Sequence, residues 1–352
     1  MQIRDITIEG DAPGHDWRLT VLEFPGAGKG PRTYIQAALH AGELPGVAAA
    51  HCLAALLRAA EARGEILGSI TLVPQANPIG TAQFVSGEMQ GRFDLASRTN
   101  FNRGYPLVTF ETRASLLEGV EKRLAASQLK RHLLSMAIDS EIMLDLHCDD
   151  QSLQYAYMHP AFWPEGKDLA AAMDMQAVFL SDGESDAFEE AVTMAWLKPD
   201  ANTRLERIAG RMSTTVELRG TSDVDPHLAA KDAAGLYRFL QARGVIGGKA
   251  EPLADFSGPV AHLDQVEMIR ADRSGMVLFH KNIGEWVKKG ERLVTLVTAP
   301  GREGGSHDLF APQDGLIVTR ASARFARRTD NLMKIACKEK TAEARSGGAL
   351  ED

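Results

Sequence analysis

Apolar and polar positions alternate along the first part of the chain with two different periods. Short apolar or β-branched runs predict strands over residues 18–24, 32–39, 66–73, 141–146, 154–158 and 214–218. Longer stretches with helical spacing predict helices over residues 44–63, 116–137 and 228–243. Because strands alternate with helices, the pattern predicts an α/β sheet.

After a loop at residues 248–258 the pattern changes to short β-like runs with frequent glycines. Gly275 and Gly315 each open such a run, and each is followed by another apolar strand, at 293–297 and 332–336. This weak repeat predicts an appended all-β module with two related halves. We expect one domain over residues 1–250, a smaller all-β domain over 258–338, and a charged, disordered tail over 339–352.

Length and composition are typical of a folded protein that is soluble in water. The 352 residues correspond to about two domains. Hydrophobic residues make up 44% and charged residues 24%, which excludes wholesale disorder. Lys and Arg number 39 against 47 Asp and Glu, and the resulting net charge of −8 disfavours nucleic acid as a partner.

Neither the cysteines nor the N-terminus indicates secretion or a membrane partner. Cys52, Cys148 and Cys337 are far apart and cannot all pair, and the first residues carry Asp and Glu where a signal peptide needs an apolar core. The longest apolar stretch, residues 48–57, is too short to span a bilayer. We expect a cytoplasmic protein, whose Ala-rich helices and β-module offer surfaces for self-association.

Candidate chemistry begins where the strand over residues 32–39 ends. His40 and Glu43 follow it, separated by two small residues and placed directly before a helix. Open α/β sheets place their sites at the carboxyl ends of strands, and imidazole and carboxylate are ordinary zinc ligands. Taken alone, the pair also fits a solvated histidine and a glutamate that the helix dipole favours.

A third candidate ligand lies at the end of the apolar strand over residues 141–146. His147 follows it, and Asp145 lies two residues earlier on the same face. Two histidines and one glutamate that leave a position for water form a catalytic zinc set, which favours hydrolysis. Alone, His147 also fits a satisfied histidine at a strand end, and Asp145 either orients a ligand imidazole or caps a helix.

Two further elements could contact a substrate. The polar loop before residue 106 carries Arg92, Arg98 and Arg103, whose planar forks suit a carboxylate or a polarised carbonyl, and Asn102 adds an amide donor. A solvated surface loop would have the same composition. Glu217 lies in an otherwise apolar strand and points either to solvent or into a cleft, where it could take a proton from water at the metal.

These elements occur in one order: His40-x-x-Glu43, Asn102-Arg103, His147 after Asp-Leu, and Glu217 before a short glycine turn. In this combination the chain, over roughly residues 30 to 245, resembles the succinylglutamate desuccinylase and aspartoacylase family, part of the wider zinc carboxypeptidase-like fold. The resemblance implies a mixed central sheet flanked by helices. It also implies one zinc ion per chain held by His40, Glu43 and His147, with Glu217 as general base and later proton donor.

The resemblance also implies the substrate contacts. Asn102 and Arg103 would hold a substrate carboxylate. Arg92, rather than Arg98, would polarise the scissile carbonyl. Arg98 would contact the substrate. One departure is visible, because members usually read Asp-Leu-Asn-Arg where this chain has Asn100 at the first position. The stretch DGESDAFEEA matches no substrate-specific residues.

The all-β module, about residues 265–338, resembles a barrel-sandwich domain of the biotinyl/lipoyl type. Such carriers present a modified lysine at a hairpin tip. The corresponding tip, around residues 299–306, contains Arg302 but no lysine, so attachment of biotin or lipoate is not expected. We expect this domain to be structural or to shape the active site.

The leading hypothesis is a zinc-dependent deacylase that frees an amine from a small N-acyl amino acid. A metallocarboxypeptidase acting on short peptides would use the same metal and place Arg103 against the peptide C-terminus. A protein of another class, a catalytically silent sensor of an acylated metabolite, would use the arginines for binding only. If the β-module covers the cleft, it restricts entry to small molecules and favours deacylation.

Overall fold

The computed structural model describes residues 1–183, 185–198 and 208–342 and is organised around a large mixed β-sheet. The first twelve strands are β1 (Gln2–Glu9), β2 (Asp16–Phe24), β3 (Thr33–Ala37), β4 (Ile70–Val73), β5 (Phe84–Val85), β6 (Glu88–Met89), β7 (Ile142–Asp149), β8 (Gln151–Ser152), β9 (Gln154–Met158), β10 (Ala177–Leu180), β11 (Met212–Gly220) and β12 (Val260–His262). Within the described residues, nine of them form the sheet in the order β1-β2-β4-β3-β7-β11-β9-β10-β12.

The centre of this sheet is parallel and largely buried. Strands β4, β3, β7 and β11 run parallel to one another, whereas β9 is antiparallel to β11 and β1 is antiparallel to β2. All five residues of β3 are buried, as expected for a strand covered on both faces. The carboxyl ends of β3 and β7 therefore lie side by side at one edge.

Helices cover the sheet. They are α1 (Pro45–Ala62), α2 (Pro78–Thr81), α3 (Ala125–Ile138), α4 (Lys167–Ala172), α5 (Phe188–Leu197) and α6 (Pro226–Ala242), with short 3-10 turns at Arg113–Leu117, Val120–Lys122, Pro160–Phe162 and Leu263–Gln265. Both α1 and α6 begin with a proline, whose missing N–H costs nothing in the first turn. Asp225 also caps α6, since its carboxylate accepts from two backbone N–H groups.

The predicted α/β architecture is confirmed, with local differences in element length. The helix predicted over 116–137 is broken, because Gly119 adopts a left-handed φ of 60° and α3 begins only at Ala125. The strand predicted from residue 66 begins at Ile70, because the N–H groups of Leu67 and Gly68 donate to the carbonyl of Val245. Strand β1 and helix α5 are not among the elements that the sequence pattern predicts.

The end of the chain forms two smaller antiparallel sheets. Their strands are β13 (Val266–Arg270), β14 (Gly275–Phe279), β15 (Trp286–Val287), β16 (Arg292–Val297), β17 (Ser306–Phe310), β18 (Gly315–Arg320), β19 (Phe325–Ala326) and β20 (Asn331–Cys337). The first sheet has the order β13-β20-β18-β15 and the second β17-β16-β14-β19. They share a core that includes Val277, Leu293 and Ile335, and we call this part the β-module.

The β-module is joined to the main body through backbone pairing. Strand β8 pairs with β18, so that Ser152 faces Thr319 and Gln151 faces Arg320. Residues 260–262 form the edge strand β12 of the large sheet, parallel to β10. The domain boundaries at 250 and 258 stay predictions, and residues 343–352 of the expected tail lie outside the described residues.

Two further features concern membrane-spanning helices and the cysteines. In the part of the chain that the structure describes, no helix combines the length and apolarity needed to cross a bilayer. Cys52, Cys148 and Cys337 are all free thiols, two of them buried.

Candidate metal centre

Three candidate ligands meet at the shared edge of β3 and β7. After β3, Ala38 adopts a left-handed φ of 56°, and the turn that follows carries His40 and Glu43 into the start of α1. In the parallel ladder Ala37 lies beside Leu146, so His147 is delivered at the same level. Ligand atoms of His40, Glu43 and His147 all lie within 4.8 Å of one another.

Inside this group, the Nδ1 atom of each imidazole lies against a carboxylate oxygen of Glu43. Nδ1 of His40 lies 2.9 Å from Oε1 of Glu43, and Nδ1 of His147 lies 2.9 Å from Oε2 of the same carboxylate. Nε2 of His40 lies 2.8 Å from Oδ1 of Asn100, and Nε2 of His147 lies 2.9 Å from Oδ2 of Asp145. Because each of these outer partners accepts, Nε2 carries the proton and a neutral ring leaves its Nδ1 lone pair facing Glu43.

A nitrogen lone pair and a carboxylate oxygen repel each other at 2.9 Å unless a positive charge lies between or beside them. Either a proton or a metal ion can supply it, and two imidazole nitrogens with one carboxylate oxygen are a donor set that zinc accepts. Asp145 is itself fixed, since Gln36 donates to its other oxygen at 2.9 Å. Such outer hydrogen bonds orient ligand imidazoles. The residues present therefore fit a divalent metal.

The electrostatics of the group agree with this fit. Burial raises the pKa of Glu43, but the imidazoles of His40 and His147 outweigh it and bring that pKa far below its usual value. Burial lowers the pKa of His147, whereas the carboxylates of Asp145 and Glu43 together hold it well above its ordinary value. Buried negative charge on Asp145 and Glu43 thus attracts a cation to this position.

A cavity of about 340 Å³ is lined by Glu43 and His147 and by two more of the predicted residues, Arg92 and Glu217. Glu217 lies beside His147 in the register of β11 and β7 and is only 2% exposed. Arg92 reaches in from the loop after β6, with Nη1 3.2 Å from Nδ1 of His40 and 3.4 Å from Oε1 of Glu43. The structure therefore brings Arg92 and Glu217 to the candidate ligands.

The far wall of this cavity comes from the β-module. Thr319, Arg320, Met333 and Lys334 line it. Nζ of Lys334 lies 2.7 Å from Oδ2 of Asp149 and 3.1 Å from the hydroxyl of Tyr157. The sequence analysis missed these residues, because they reach the site only through the pairing of β18 with β8, for which no local pattern exists.

Asn102 and Arg103 line a second, smaller cavity of about 70 Å³. Oδ1 of Asn102 accepts from the N–H of Phe188, the first residue of α5, at 2.9 Å. Nη1 of Arg103 donates to the carbonyl of Asn102 at 2.8 Å. Arg98 is exposed, has a left-handed φ of 61°, and lines neither cavity, so the structure does not bring it to the other candidates.

Comparison with known proteins places the whole chain among related folds. The sequence model of the succinylglutamate desuccinylase/aspartoacylase catalytic domain matches residues 29–243. A succinylglutamate desuccinylase/aspartoacylase family protein of Shewanella amazonensis SB2B is 26% identical with a TM-score of 0.81, covering 96% of this chain and 99% of its own. A comparison with curated proteins returns no match.

More distant structures show the same fold. A succinylglutamate desuccinylase/aspartoacylase of Shewanella frigidimarina NCIMB 400 is 23% identical with a TM-score of 0.83, covering 96% of this chain and 97% of its own. The succinylglutamate desuccinylase/aspartoacylase of Rhodobacter sphaeroides is 18% identical with a TM-score of 0.71, covering 96% of both chains. The β-module thus has counterparts in these structures. The match over residues 29–243 shows that the chain belongs to the succinylglutamate desuccinylase/aspartoacylase family of hydrolases.

Proposed function

We propose that this protein is a zinc-dependent amidohydrolase that removes the acyl group from a small N-acyl amino acid or a related N-acyl amine. The observation that carries the proposal is the His40, Glu43 and His147 cluster, two of whose members, Glu43 and His147, line one cavity together with Arg92 and Glu217. Metal ligands, a buried carboxylate and a guanidinium are the groups that hydrolysis of an amide needs.

Each residue has a role that follows from its chemistry. His40, Glu43 and His147 would hold the zinc ion, which when bound supplies a Lewis acid and a more acidic water. Glu217 would accept a proton from the attacking water and pass it to the departing amine. Arg92 would donate hydrogen bonds to the carbonyl oxygen as its negative charge grows. One water is consumed, and a carboxylate and a free amine are released.

Recognition of the substrate falls to the second cavity. Arg103 presents a guanidinium and Asn102 an amide, and both lie in the same small space. A guanidinium binds a carboxylate through two parallel hydrogen bonds. We propose that these two residues bind the carboxylate of the amino acid half.

Two observations favour this function over a carboxypeptidase and over a silent sensor of an acylated metabolite. A carboxypeptidase needs room for a peptide, whereas the β-module walls the cavity with Arg320 and Lys334, which favours a small substrate. A silent sensor of an acylated metabolite has no need for a buried carboxylate beside the metal ligands, yet Glu217 is buried there.

Metal analysis combined with a panel of N-acyl amino acids and short peptides tests the proposal. We expect about one zinc ion per chain and release of the free amino acid from small amides. Glu217→Gln should lower kcat by about 10²–10⁴-fold while zinc content stays unchanged, and the exposed Glu118→Gln serves as control. Full turnover by Glu217→Gln, a protein without bound metal, or release only of C-terminal residues from peptides would contradict it.

We also propose that the β-module is a barrel-sandwich of the biotinyl/lipoyl type without a carrier role. Its two sheets enclose one core, and Gly275 and Gly315 begin corresponding strands, β14 and β18. The hairpin of β16 and β17 has Arg302 in its loop and no lysine. Mass spectrometry of the protein should therefore show no added biotin or lipoyl group.

A further inference from the structure

Strand β11 becomes irregular immediately after Glu217. Glu217 itself lies opposite His147 of β7. Three residues later Gly220 lies opposite Asp149, so β11 contains two residues where β7 contains one. This arrangement is a β-bulge, and bulges beside active sites redirect the side chains near them. The geometry of this bulge therefore decides where the strand points on either side of the candidate general base.

The bulge places Arg219 in an unfavourable backbone conformation. Its φ is 63°, in the left-handed region that residues with long side chains rarely adopt. Glycine takes this conformation without strain, but the chain has an arginine here. A strained residue of this kind persists only where its surroundings hold it in place. The contacts of the Arg219 side chain show what holds it.

A helix and a neighbouring strand bind the guanidinium of Arg219. Nη1 donates to Oδ1 of Asp232 in α6 at 3.0 Å, and Nη2 donates to Oδ2 of the same carboxylate. Nη1 also donates to Oε1 of Gln154 in β9 at 2.8 Å. The side chains of Arg219 and Asp232 are only 15% and 2% exposed. Because a guanidinium and a carboxylate with two parallel hydrogen bonds fix each other's orientation, this pair holds the bulge in one geometry.

The guanidinium lies on the face of β11 opposite to Glu217. Alternate residues of an unbroken strand share a face, so without the bulge residue 219 would point to the same side as Glu217. Gln154 is the cross-strand neighbour of Leu218, and such neighbours share a face. Because Arg219 contacts Gln154, its cation lies away from the cavity that Glu217 lines.

This segment is not arranged for maximum stability. Nε of Arg219 and Nε2 of Gln154 are buried donors that have no hydrogen-bond partner among the described residues. Buried polar groups are almost always hydrogen-bonded, so these two atoms and the left-handed backbone are three local departures from the usual rules. Natural proteins concentrate such departures at functional sites. Their position directly after Glu217 therefore indicates a role in the reaction.

We propose that the Arg219–Asp232 pair positions Glu217 for the hydrolytic reaction. By holding the bulge, the pair fixes the direction in which the Glu217 carboxylate leaves β11 beside His147, and it keeps the cation of Arg219 out of the cavity. Arg219 and Asp232 are thus positioning residues, which act on the reaction only through Glu217. The inference rests on the proposed function, since it concerns the general base of that reaction.

Asp232→Asn tests the inference, because it removes the charge and keeps the shape of the side chain. With the zinc-loaded full chain we expect kcat for a small N-acyl amino acid to fall by about 10- to 100-fold, as for a misplaced catalytic group. KM and zinc content should stay those of the unchanged protein. The matched control is Asp168→Asn, which breaks the pair with Arg243 at the end of α6. The arginine of that pair is also 15% exposed, and this change should leave kcat unaltered.

A double variant separates positioning from stability. Asp232→Asn alone leaves the cation of Arg219 unpaired and its backbone strained. Adding Arg219→Gly removes both, because glycine adopts the left-handed conformation readily. In urea unfolding, the double variant should therefore recover stability relative to Asp232→Asn, while its kcat should stay low because the bulge is no longer held. Recovery of kcat together with stability would overturn the inference and show that the pair is only structural.

Hydrogen exchange separates this inference from the proposed function, because it needs neither zinc nor turnover. Just past the bulge, the N–H of Thr221 donates to the carbonyl of Asp149 at 3.0 Å. In the metal-free protein we expect Asp232→Asn, but not Asp168→Asn, to speed exchange at residues 217–221. Unchanged exchange there would overturn the inference and leave the deacylase intact. Absence of hydrolysis by the unchanged protein would contradict the deacylase and with it the role of Glu217, whereas faster exchange would still show that the pair holds the bulge.

Discussion

At the scale of single residues, Asn100 distinguishes the environments of the two candidate imidazole ligands. His40 donates to the neutral amide oxygen of Asn100, whereas His147 donates to the carboxylate of Asp145. A carboxylate partner makes an imidazole a more basic ligand. His40 is therefore expected to bind the metal more weakly than His147. The sequence reveals the unusual Asn100, but not its contact with His40.

Replacing Asn100 tests this asymmetry. Asn100→Asp should tighten zinc binding by about 10-fold, and Asn100→Leu should weaken it by about 10- to 100-fold. Competition with a chromophoric chelator measures both dissociation constants. Asn282→Asp, which adds the same charge at an exposed position of the β-module, should leave zinc binding unchanged. Equal affinities for all four proteins would show that Asn100 does not act on the metal.

Glu189 predicts a dependence of stability on pH. Its pKa is about 8 in the folded protein and about 4.5 when unfolded, so the folded state holds the proton over this interval. Stability from this group is complete below about pH 4.5 and declines by up to about 1.4 kcal/mol per pH unit as the pH rises to 8. Glu189→Gln has no proton to lose, so its advantage in urea unfolding should grow from pH 5 to pH 8.

The control for this pH series is Glu251→Gln, which changes an exposed residue. Its unfolding free energy should follow that of the unchanged protein at every pH. If Glu189→Gln also follows it in parallel, Glu189 is ionised in the folded protein and the assignment of its pKa is wrong.

At the scale of elements, the close approach of α1 to β3 and β7 positions the candidate metal ligands. A Cβ on Gly46 would lie 3.1 Å from Cβ of Ala37 and 3.0 Å from Cβ of Leu146. These two residues directly precede the segments that carry His40 and His147. Only a glycine in the first turn of α1 lets the helix pack at this distance.

A larger residue at this contact should disturb the centre. Gly46→Val should destabilise the fold by about 1–3 kcal/mol through overpacking, and it should weaken zinc binding as the strand ends separate. Unfolding in urea and chelator competition measure the two effects. Ala59→Val, on an exposed position of the same helix, is the matched control. Unchanged zinc affinity in Gly46→Val would mean that the ligands do not depend on this packing.

Which elements the sequence predicts depends on how local their signals are. The ends of β3 and β7 are marked by a change from apolar to polar residues, so His40 and His147 could be located. The same change hides the true length of β7, which continues to Asp149 because β11 pairs with it. The first residue of helix α5, Phe188, donates its N–H to Asn102. These residues are 86 positions apart, so a local sequence pattern cannot predict this contact.

At the scale of the whole molecule, a buried ion pair connects the β-module to the large sheet. Lys334 and Asp149 have side chains only 8% and 20% exposed. Burial raises the pKa of Asp149, but Lys334 outweighs it and the pKa is lowered. The alternation of strands and helices predicts the large sheet, whereas this docking depends on tertiary contacts between distant segments. The predicted β-content of the module therefore does not indicate its place beside the candidate metal ligands.

Removing the lysine should destabilise the protein more than an exposed pair would. Lys334→Met leaves the largely buried Asp149 without its cation and should cost about 3–5 kcal/mol of unfolding free energy. Lys288→Met breaks the exposed pair with Asp314 in the same module and should change the unfolding free energy far less, because water already screens that pair. Equal losses in urea unfolding would mean that the buried pair does not hold the module in place.

The docking of the β-module also bears on the order in which the protein matures. His40, Glu43 and His147 are synthesised long before β18 and β20, and multi-part chains fold from the N-terminus during synthesis. On the ribosome the ligands can thus come together while the entrance is still wide. A metal ion bound at that stage would lie behind the wall that β18 and β20 add to the cavity, so we expect metal to bind the nascent chain more readily than the finished protein.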